Sequence, residues 1–166
     1  MFPVRGDPGQ QVGVIVKRIF DILVSFLGLL ITAPILAPVM VLIWRQDYHS
    51  PFYIADRAGR GGGRFRMVKL RSMVVNADKS GVDSTSANDN RITGVGRFVR
   101  NFKLDEISQL WNVLVGDMSL VGPRPNVLNE TDRYTPVERQ LLDVRPGMTD
   151  ISSIVFSDEG EILENS

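Results

Sequence analysis

The chain has 166 residues, enough for one modest domain or for a small domain plus a membrane element. It contains no cysteine, which excludes disulfides and thiolate zinc sites, and a single histidine, His49, which argues against a His-rich metal centre. Any metal would then be a hard, oxygen-liganded cation such as Mg²⁺. The formal net charge is zero, but residues 1–124 hold 16 basic and 10 acidic side chains while residues 125–166 hold 3 and 9. The basic excess gathers in Arg57, Arg60, Arg64, Arg66, Lys69 and Arg71, then in Arg91, Arg97, Arg100 and Lys103. Such a field attracts phosphate on nucleotide, lipid or nucleic acid, and is equally the composition of a solvated basic face.

In chain order, residues 1–16 form a mixed tail, and residues 17–45 a membrane element. From Ile22 to Trp44 run 23 residues without a charge. As a straight helix they reach about 35 Å, against a bilayer core of about 30 Å. A signal peptide fits poorly, and so small a domain can seldom bury such a run on every side. Spanning and re-entrant forms both stay open. Pro34, near the midpoint, and Pro38 each remove a backbone N–H and crowd the carbonyl one turn back, and Thr32 is placed to bond a freed carbonyl. Lys17 and Arg18 on one side and Arg45 on the other suit a hairpin whose ends share one face of the membrane. Asp21 lies one turn after Lys17, which can neutralise it.

Residues 46–166 read as the portion outside the membrane. A loop from Gln46 to about Arg64 carries Gly59-Arg60-Gly61-Gly62-Gly63-Arg64, which fails the dinucleotide fingerprint and lacks the Lys-Ser/Thr of a P-loop, so it reads as a hairpin turn. Residues 64–70, "RFRMVKL", alternate as a strand, with Lys69 of opposite parity to Arg64 and Arg66. A polar loop over 76–93 precedes helices at about 94–102 and 105–115 and a short strand at 118–121. A further helix near 136–143 leads to "RPGMTD" and an acidic end. No internal repeat is present.

The helix expected at 105–115 has Ile107, Leu110, Trp111, Leu114 and Val115 on one face, and Gly116 suits its end. Asp105, Gln109 and Asn112 then gather on the opposite face, with Glu106 beside Asp105. Adjacent carboxylates repel unless a cation bridges them, which invites Mg²⁺, yet acids in a first turn are also ordinary. In Gly122-Pro123-Arg124-Pro125 two prolines restrict the backbone around Arg124, whose planar fork suits phosphate or carboxylate. A plain surface arginine in a proline turn has the same pattern.

Taken together, "KRIFDILVS", the proline-broken apolar segment, "FRMVKLRSM", "NDNRITGVGRFVRNFKLDEISQLWNVLVGDMSLVGPRP" and "DVRPGMTD" resemble the bacterial sugar transferase family, the monotopic phosphoglycosyl transferases. The resemblance covers roughly residues 15 to 150. It implies an α+β, membrane-associated fold: an N-terminal re-entrant helix hairpin joined to a small, mostly helical cytosolic catalytic domain, residues 46–166, with short strands, at the bacterial cytoplasmic membrane. It also implies transfer of a phosphosugar from a UDP-sugar to a polyprenyl phosphate, releasing UMP. Asp105 would be the nucleophile and Glu106 its partner. Mg²⁺ would sit against Asp105 with help from the Arg100 carbonyl. Lys69, Arg71, Arg124 and Arg145, with Gln109 and Asn112, would hold phosphates and substrate.

Two positions depart from the family pattern: Ala33, where serine often precedes the hairpin proline, and Asp150, where glycine often follows "RPG.T". The chain ends at "DEGEILENS", as expected of a small one-domain member or of a shortened chain. The competing reading is a non-catalytic, membrane-anchored basic module that binds anionic lipid or a glycan-assembly partner. Nucleic-acid binding is set aside because aromatics do not interleave among the basic residues. The sugar, the polyprenol and the oligomeric state are left open.

Overall fold

The computed structural model describes residues 8–77 and 89–150. The start of the tail, much of the loop expected at 76–93 and the acidic end lie outside the described residues. Helix α1, Pro8–Asp47, begins on a proline, whose missing N–H is harmless at a first helical position. It runs through Pro34 and Pro38 as one 40-residue helix, about 60 Å long. No reversal at Pro34 is shown. The Thr32 hydroxyl donates to the Gly28 carbonyl at 2.6 Å, its own helical partner, rather than to the Leu30 carbonyl that Pro34 leaves unmatched.

One stripe of α1 is buried at spacings of three and four: Asp21, Ser25, Leu36, Val39 and Ile43, with Gly28 and Thr32 half-buried between them. Its other faces are apolar and exposed, among them Leu23, Phe26, Leu27, Leu30, Ile31 and Ile35. By length and composition α1 could cross a membrane, and an exposed apolar surface of this extent marks membrane association.

The segment expected as a loop from Gln46 contains a strand. β1, Phe52–Ala58, pairs antiparallel with β2, Arg64–Leu70, Phe52 lying opposite Leu70 and Ala58 opposite Arg64. The glycine-rich stretch is the turn between them, closed by the Gly59 N–H donating to the Gly63 carbonyl at 2.6 Å. Helix α2, Gly94–Asn101, is capped by Thr93, whose hydroxyl accepts from the Gly96 N–H at 2.9 Å. The single helix expected at 105–115 is two short ones, α3, Leu104–Ile107, and α4, Leu110–Val115. β3, Ser119–Val121, pairs in parallel with β4, Gly147–Thr149. Between them lie α5, Leu128–Thr131, and a 3-10 turn, Glu138–Asp143, in place of the helix expected near 136–143.

Two apolar clusters hold these elements. Leu36, Val39 and Ile43 of α1 pack with Leu70, Val99 and Leu104, joining the membrane helix to β2, α2 and α3. Ala55, Phe65 and Met67 of the hairpin pack with Val113 and Met118. α2 lies so close to the segment after β2 that a Cβ at Gly96 would fall 1.8 Å from the Ser72 carbonyl oxygen, whereas one at Gly94 would meet nothing within 4 Å. Gly96→Ala should therefore cost about 1–3 kcal/mol or more and lower the thermal midpoint by several degrees, while Gly94→Ala should leave it nearly unchanged. Equal midpoints for the two variants would contradict this packing.

Candidate active site

The free edge of β2 organises the site. A two-stranded hairpin leaves one edge of β2 without a strand partner, and buried backbone groups need partners. Side chains from α3 and α4 supply them. Asn112 accepts from the Val68 N–H at 2.9 Å and donates to the Arg66 carbonyl at 2.8 Å and to the Asp117 carboxylate at 3.2 Å. The Ser108 hydroxyl accepts from the Leu70 N–H at 3.1 Å and donates to the Asp105 carbonyl at 2.7 Å. Ser108 and Asn112 thus bracket residue 69 and hold it beside the start of α3, which carries the acid pair.

This edge inverts part of the expected helix face. Asn112 and Gln109, expected to point away from the core, are buried at 1% and 5% exposure, whereas Trp111 and Val115, expected within it, are each 52% exposed. The break at Ser108 and Gln109 shifts the phase of α4, and β2 needs an amide where an apolar side chain was expected. Asn112 is therefore a scaffold residue, its amide fully engaged.

β2 presents Lys69 as its parity predicts. Phe65 and Met67, on the Lys69 face, are buried, while Arg64 and Arg66, on the other, are exposed. Burial pushes the Lys69 ammonium below the ordinary lysine value; the carboxylates of Asp105 and Glu106 oppose that shift, and the cations Arg124 and Arg57 add to it. These five charges share one neighbourhood. Asp105 is half-buried and Glu106 exposed. Lys103, before them, holds a left-handed backbone with φ of 50°, which turns the chain sharply from α2 into α3. Its carbonyl accepts from the N–H of Glu106 at 3.0 Å. With four residues, α3 has too few aligned peptides to give the acid pair much helix-dipole support.

Arg124 reaches this neighbourhood because two motifs interlock. The Gly122 N–H donates to the Thr149 carbonyl at 3.1 Å, and the Gly147 N–H donates to the Pro123 carbonyl at 2.8 Å. Any Cβ on Gly122 or Gly147 would strike the facing backbone. Beside this crossing lies a cavity of about 310 Å³, lined by Ala58, Gly59, Arg124, Asn126, Tyr134 and Asp150 among others. The acid pair stands outside its lining.

Other expected phosphate ligands have partners within the protein. Arg71 is buried and forms a two-pronged ion pair with Asp47 at 2.6 and 2.7 Å, which ties β2 to the end of α1. Arg145 donates to the Gly116 carbonyl at 2.9 Å, and Arg18 donates to the Val113 and Leu114 carbonyls at 2.7 and 3.0 Å, so both arginines cap the C-terminal end of α4. Arg100 donates to the Ser72 hydroxyl at 3.0 Å, and its carbonyl accepts from the Lys103 N–H at 3.0 Å. Lys17 pairs with Asp21 at 3.1 Å, as expected, and Asp21 also accepts from the Ser119 hydroxyl at 2.9 Å. The sequence reading missed Arg57 as a site residue because β1 was taken for loop, so its strand parity was not used.

If the β2 edge fixes the site, Asn112→Ala leaves a buried N–H and a buried carbonyl without partners. The expected loss is about 2 kcal/mol or more, read as a lower urea midpoint, with Gln109→Ala as the comparison. An unchanged midpoint would remove Asn112 from the scaffold.

Residues 12–164 match the family described as bacterial sugar transferase. A Bacillus subtilis relative is 43% identical over 119 residues, 72% of this chain and 66% of that protein. The undecaprenyl-phosphate galactose phosphotransferase of Salmonella typhimurium is 41% identical over 151 residues, covering 80% of this chain and 31% of that protein. The exopolysaccharide production protein ExoY of Sinorhizobium fredii is 35% identical over 160 residues, covering 87% and 71%. The chain thus spans about a third of the length of the Salmonella protein and about two thirds of the Bacillus one. The family match extends over nearly all of the sequence, and the chain belongs to the bacterial sugar transferase family.

Proposed function

We propose that this chain transfers a phosphosugar from a UDP-sugar to a polyprenyl phosphate at the bacterial cytoplasmic membrane, an early step in assembling an exopolysaccharide or other glycoconjugate. The observation that carries the reading is the half-buried Lys69 in the shared field of Asp105, Glu106 and Arg124. A carboxylate can act as a covalent nucleophile, and cations beside it can stabilise the charge that develops on phosphate oxygens.

In the first half of the reaction a carboxylate oxygen of Asp105 bonds to the phosphorus that carries the sugar. The bond from that phosphorus to the bridging oxygen breaks, and UMP leaves with the electron pair. In the second half an oxygen of the polyprenyl phosphate bonds to the same phosphorus, and the Asp105 carboxylate departs. Glu106 stands beside Asp105 as its partner, while Lys69 and Arg124 stabilise the charge that moves onto the phosphate oxygens.

No group of three or more acidic or histidine side chains that could hold a metal occurs among the described residues. Two adjacent carboxylates fit Mg²⁺, which commonly takes one or two carboxylates and completes its shell with water and substrate phosphates. Asp105 and Glu106, with the Arg100 carbonyl, would hold it. When bound, the ion supplies neutralising charge on the diphosphate.

The membrane element serves the same chemistry. α1 is fastened to one folded domain at Arg18, which bonds α4, and at its C-terminal Asp47, which pairs with Arg71, and its buried stripe from Asp21 to Ile43 rests on that domain. That arrangement favours entry into the bilayer from one side, with a re-entrant path and the catalytic residues at the cytoplasmic headgroup plane, where a soluble nucleotide and a lipid phosphate both reach Asp105.

Asp105→Asn should reduce UMP release from a UDP-sugar by at least about a thousandfold. Wild-type protein loaded with donor and denied lipid should carry the phosphosugar on the peptide containing residue 105. Turnover that survives in Asp105→Asn excludes this assignment. Because the chain has no native cysteine, Val12→Cys and Ser50→Cys give clean topology probes. Both should label from the same side of sealed vesicles; labelling from opposite sides would establish a spanning helix.

A further inference from the structure

We propose that Arg57 binds the phosphate of the leaving nucleotide, which makes it a donor-binding residue distinct from the groups around the attacked phosphorus. The inference rests on the donor chemistry proposed above. In the β1–β2 register Arg57 lies opposite Phe65, and Tyr53 opposite Lys69, so Arg57 and Lys69 project from one face of the hairpin. Four residues of strand separate position 65 from position 69, about 13 Å, with buried Ala55 and Met67 between. Two long cationic side chains leaning inward across that floor can converge on a diphosphate.

The surroundings say which end of the diphosphate Arg57 takes. The next residue, Ala58, donates its N–H to the Asn126 carbonyl at 3.0 Å, which fixes the end of β1 against the corner that carries Arg124. Ala58, Gly59, Arg124 and Asn126 all line the 310 Å³ cavity. Arg57 itself is outside that lining and adjoins it only through the backbone of Ala58. Along the hairpin it lies toward the turn from Lys69, while Ser108 ties the acid pair to Leu70 at the other end. A donor lying with its reacting phosphorus at Asp105 and Lys69 brings its nucleotide phosphate to Arg57 and Arg124 and its nucleoside to the cavity.

Charge accounting supports the same placement. Several arginines are engaged by groups distant in the fold or by carboxylates: Asp47 for Arg71, Asp89 for Arg91, Asp56 for Arg64, and distant carbonyls for Arg18, Arg60 and Arg145. Arg57 forms no ion pair among the described residues, and its guanidinium donates to the carbonyl of its neighbour Asp56 at 3.2 Å. The Asp56 carboxylate is taken by Arg64 on the opposite face of the strand. Of the described residues lining the cavity, only Asp150 is acidic. A half-buried guanidinium set among like charges is an unfavourable arrangement that a bound anion relieves.

The test uses the full chain in detergent or nanodiscs and titrates UMP directly, so it does not depend on turnover. Arg57→Ala should weaken UMP binding about 10- to 100-fold, with Arg57→Lys recovering part of it and Arg66→Ala, on the exposed face, close to wild type. In turnover assays the donor KM should rise with it, while transfer from the already loaded enzyme to polyprenyl phosphate keeps its rate, since UMP has by then departed. Thermal midpoints of Arg57→Ala and Arg57→Lys within a few degrees of wild type show that folding is intact. Equal UMP affinity in wild type and a folded Arg57 variant overturns the inference, as does a wild type that binds no UMP. The proposed function fails separately, if UMP binds through Arg57 but none is released from any UDP-sugar.

Discussion

A strand with only one neighbour is the constraint on which this structure turns. β2 pairs with β1 on one side, and on the other its backbone meets no strand. Within a packed interior those groups must be satisfied, and the hydroxyl of Ser108 and the amide of Asn112 do so. The consequence is positional. Ser108 bonds at once to the Leu70 N–H and to the Asp105 carbonyl, so the strand that carries Lys69 and the turn that carries the acid pair cannot drift apart without breaking buried hydrogen bonds. A network whose members are all bonded makes a rigid support, and the opposite charges that face each other across it gain from being held in place.

The cations fall into two groups by what they touch. Arg18, Arg71, Arg100 and Arg145 are bound to a carboxylate, carbonyls or a hydroxyl of the protein and join elements distant in sequence, while Arg91 pairs locally with Asp89. Lys69, Arg57 and Arg124 lie instead within each other's fields around the acid pair and the cavity. The basic excess of the first 124 residues therefore falls into two sets, one bound to the protein itself and one gathered around the acid pair. Charge counting cannot separate them; contact geometry does.

Much of the architecture was legible in the sequence, and the reasons differ by element. The strand at 64–70 alternates cleanly, so its period and the inward parity of Lys69 could both be read. β1 could not, because Phe52 and Ile54 are exposed apolar residues while Arg57 shares the face of buried Ala55, which erases the alternation. At 105–115 the apolar spacing gave the right element type and the wrong face. Periodicity assumes that apolar side chains turn inward, and here the free edge of β2 demands the amide of Asn112. The acid pair and the proline corner were visible as motifs, yet their meeting was not, since it depends on the parallel pairing of residues 119–121 with 147–149.

Helix α4 links the membrane element to the chemistry. Its terminal carbonyls are held from two directions, by Arg18 of α1 and by Arg145 from the segment before β4, while its Asn112 holds β2. Leu110, at its other end, packs directly on Gly28 of α1. A six-residue helix has little stability of its own, so its position is set almost wholly by these contacts. The apolar helix is consequently part of the active-site frame as well as an anchor. Removing residues up to about 30 would take away the Arg18 caps and the buried bonds from Asp21 to β3, leaving α4 carbonyls and the Ser119 hydroxyl short of partners. An acid pair fixed by α3 and α4 is thereby fixed relative to the exposed apolar surface of α1, which is what the proposed reaction between a soluble donor and a membrane-bound acceptor requires.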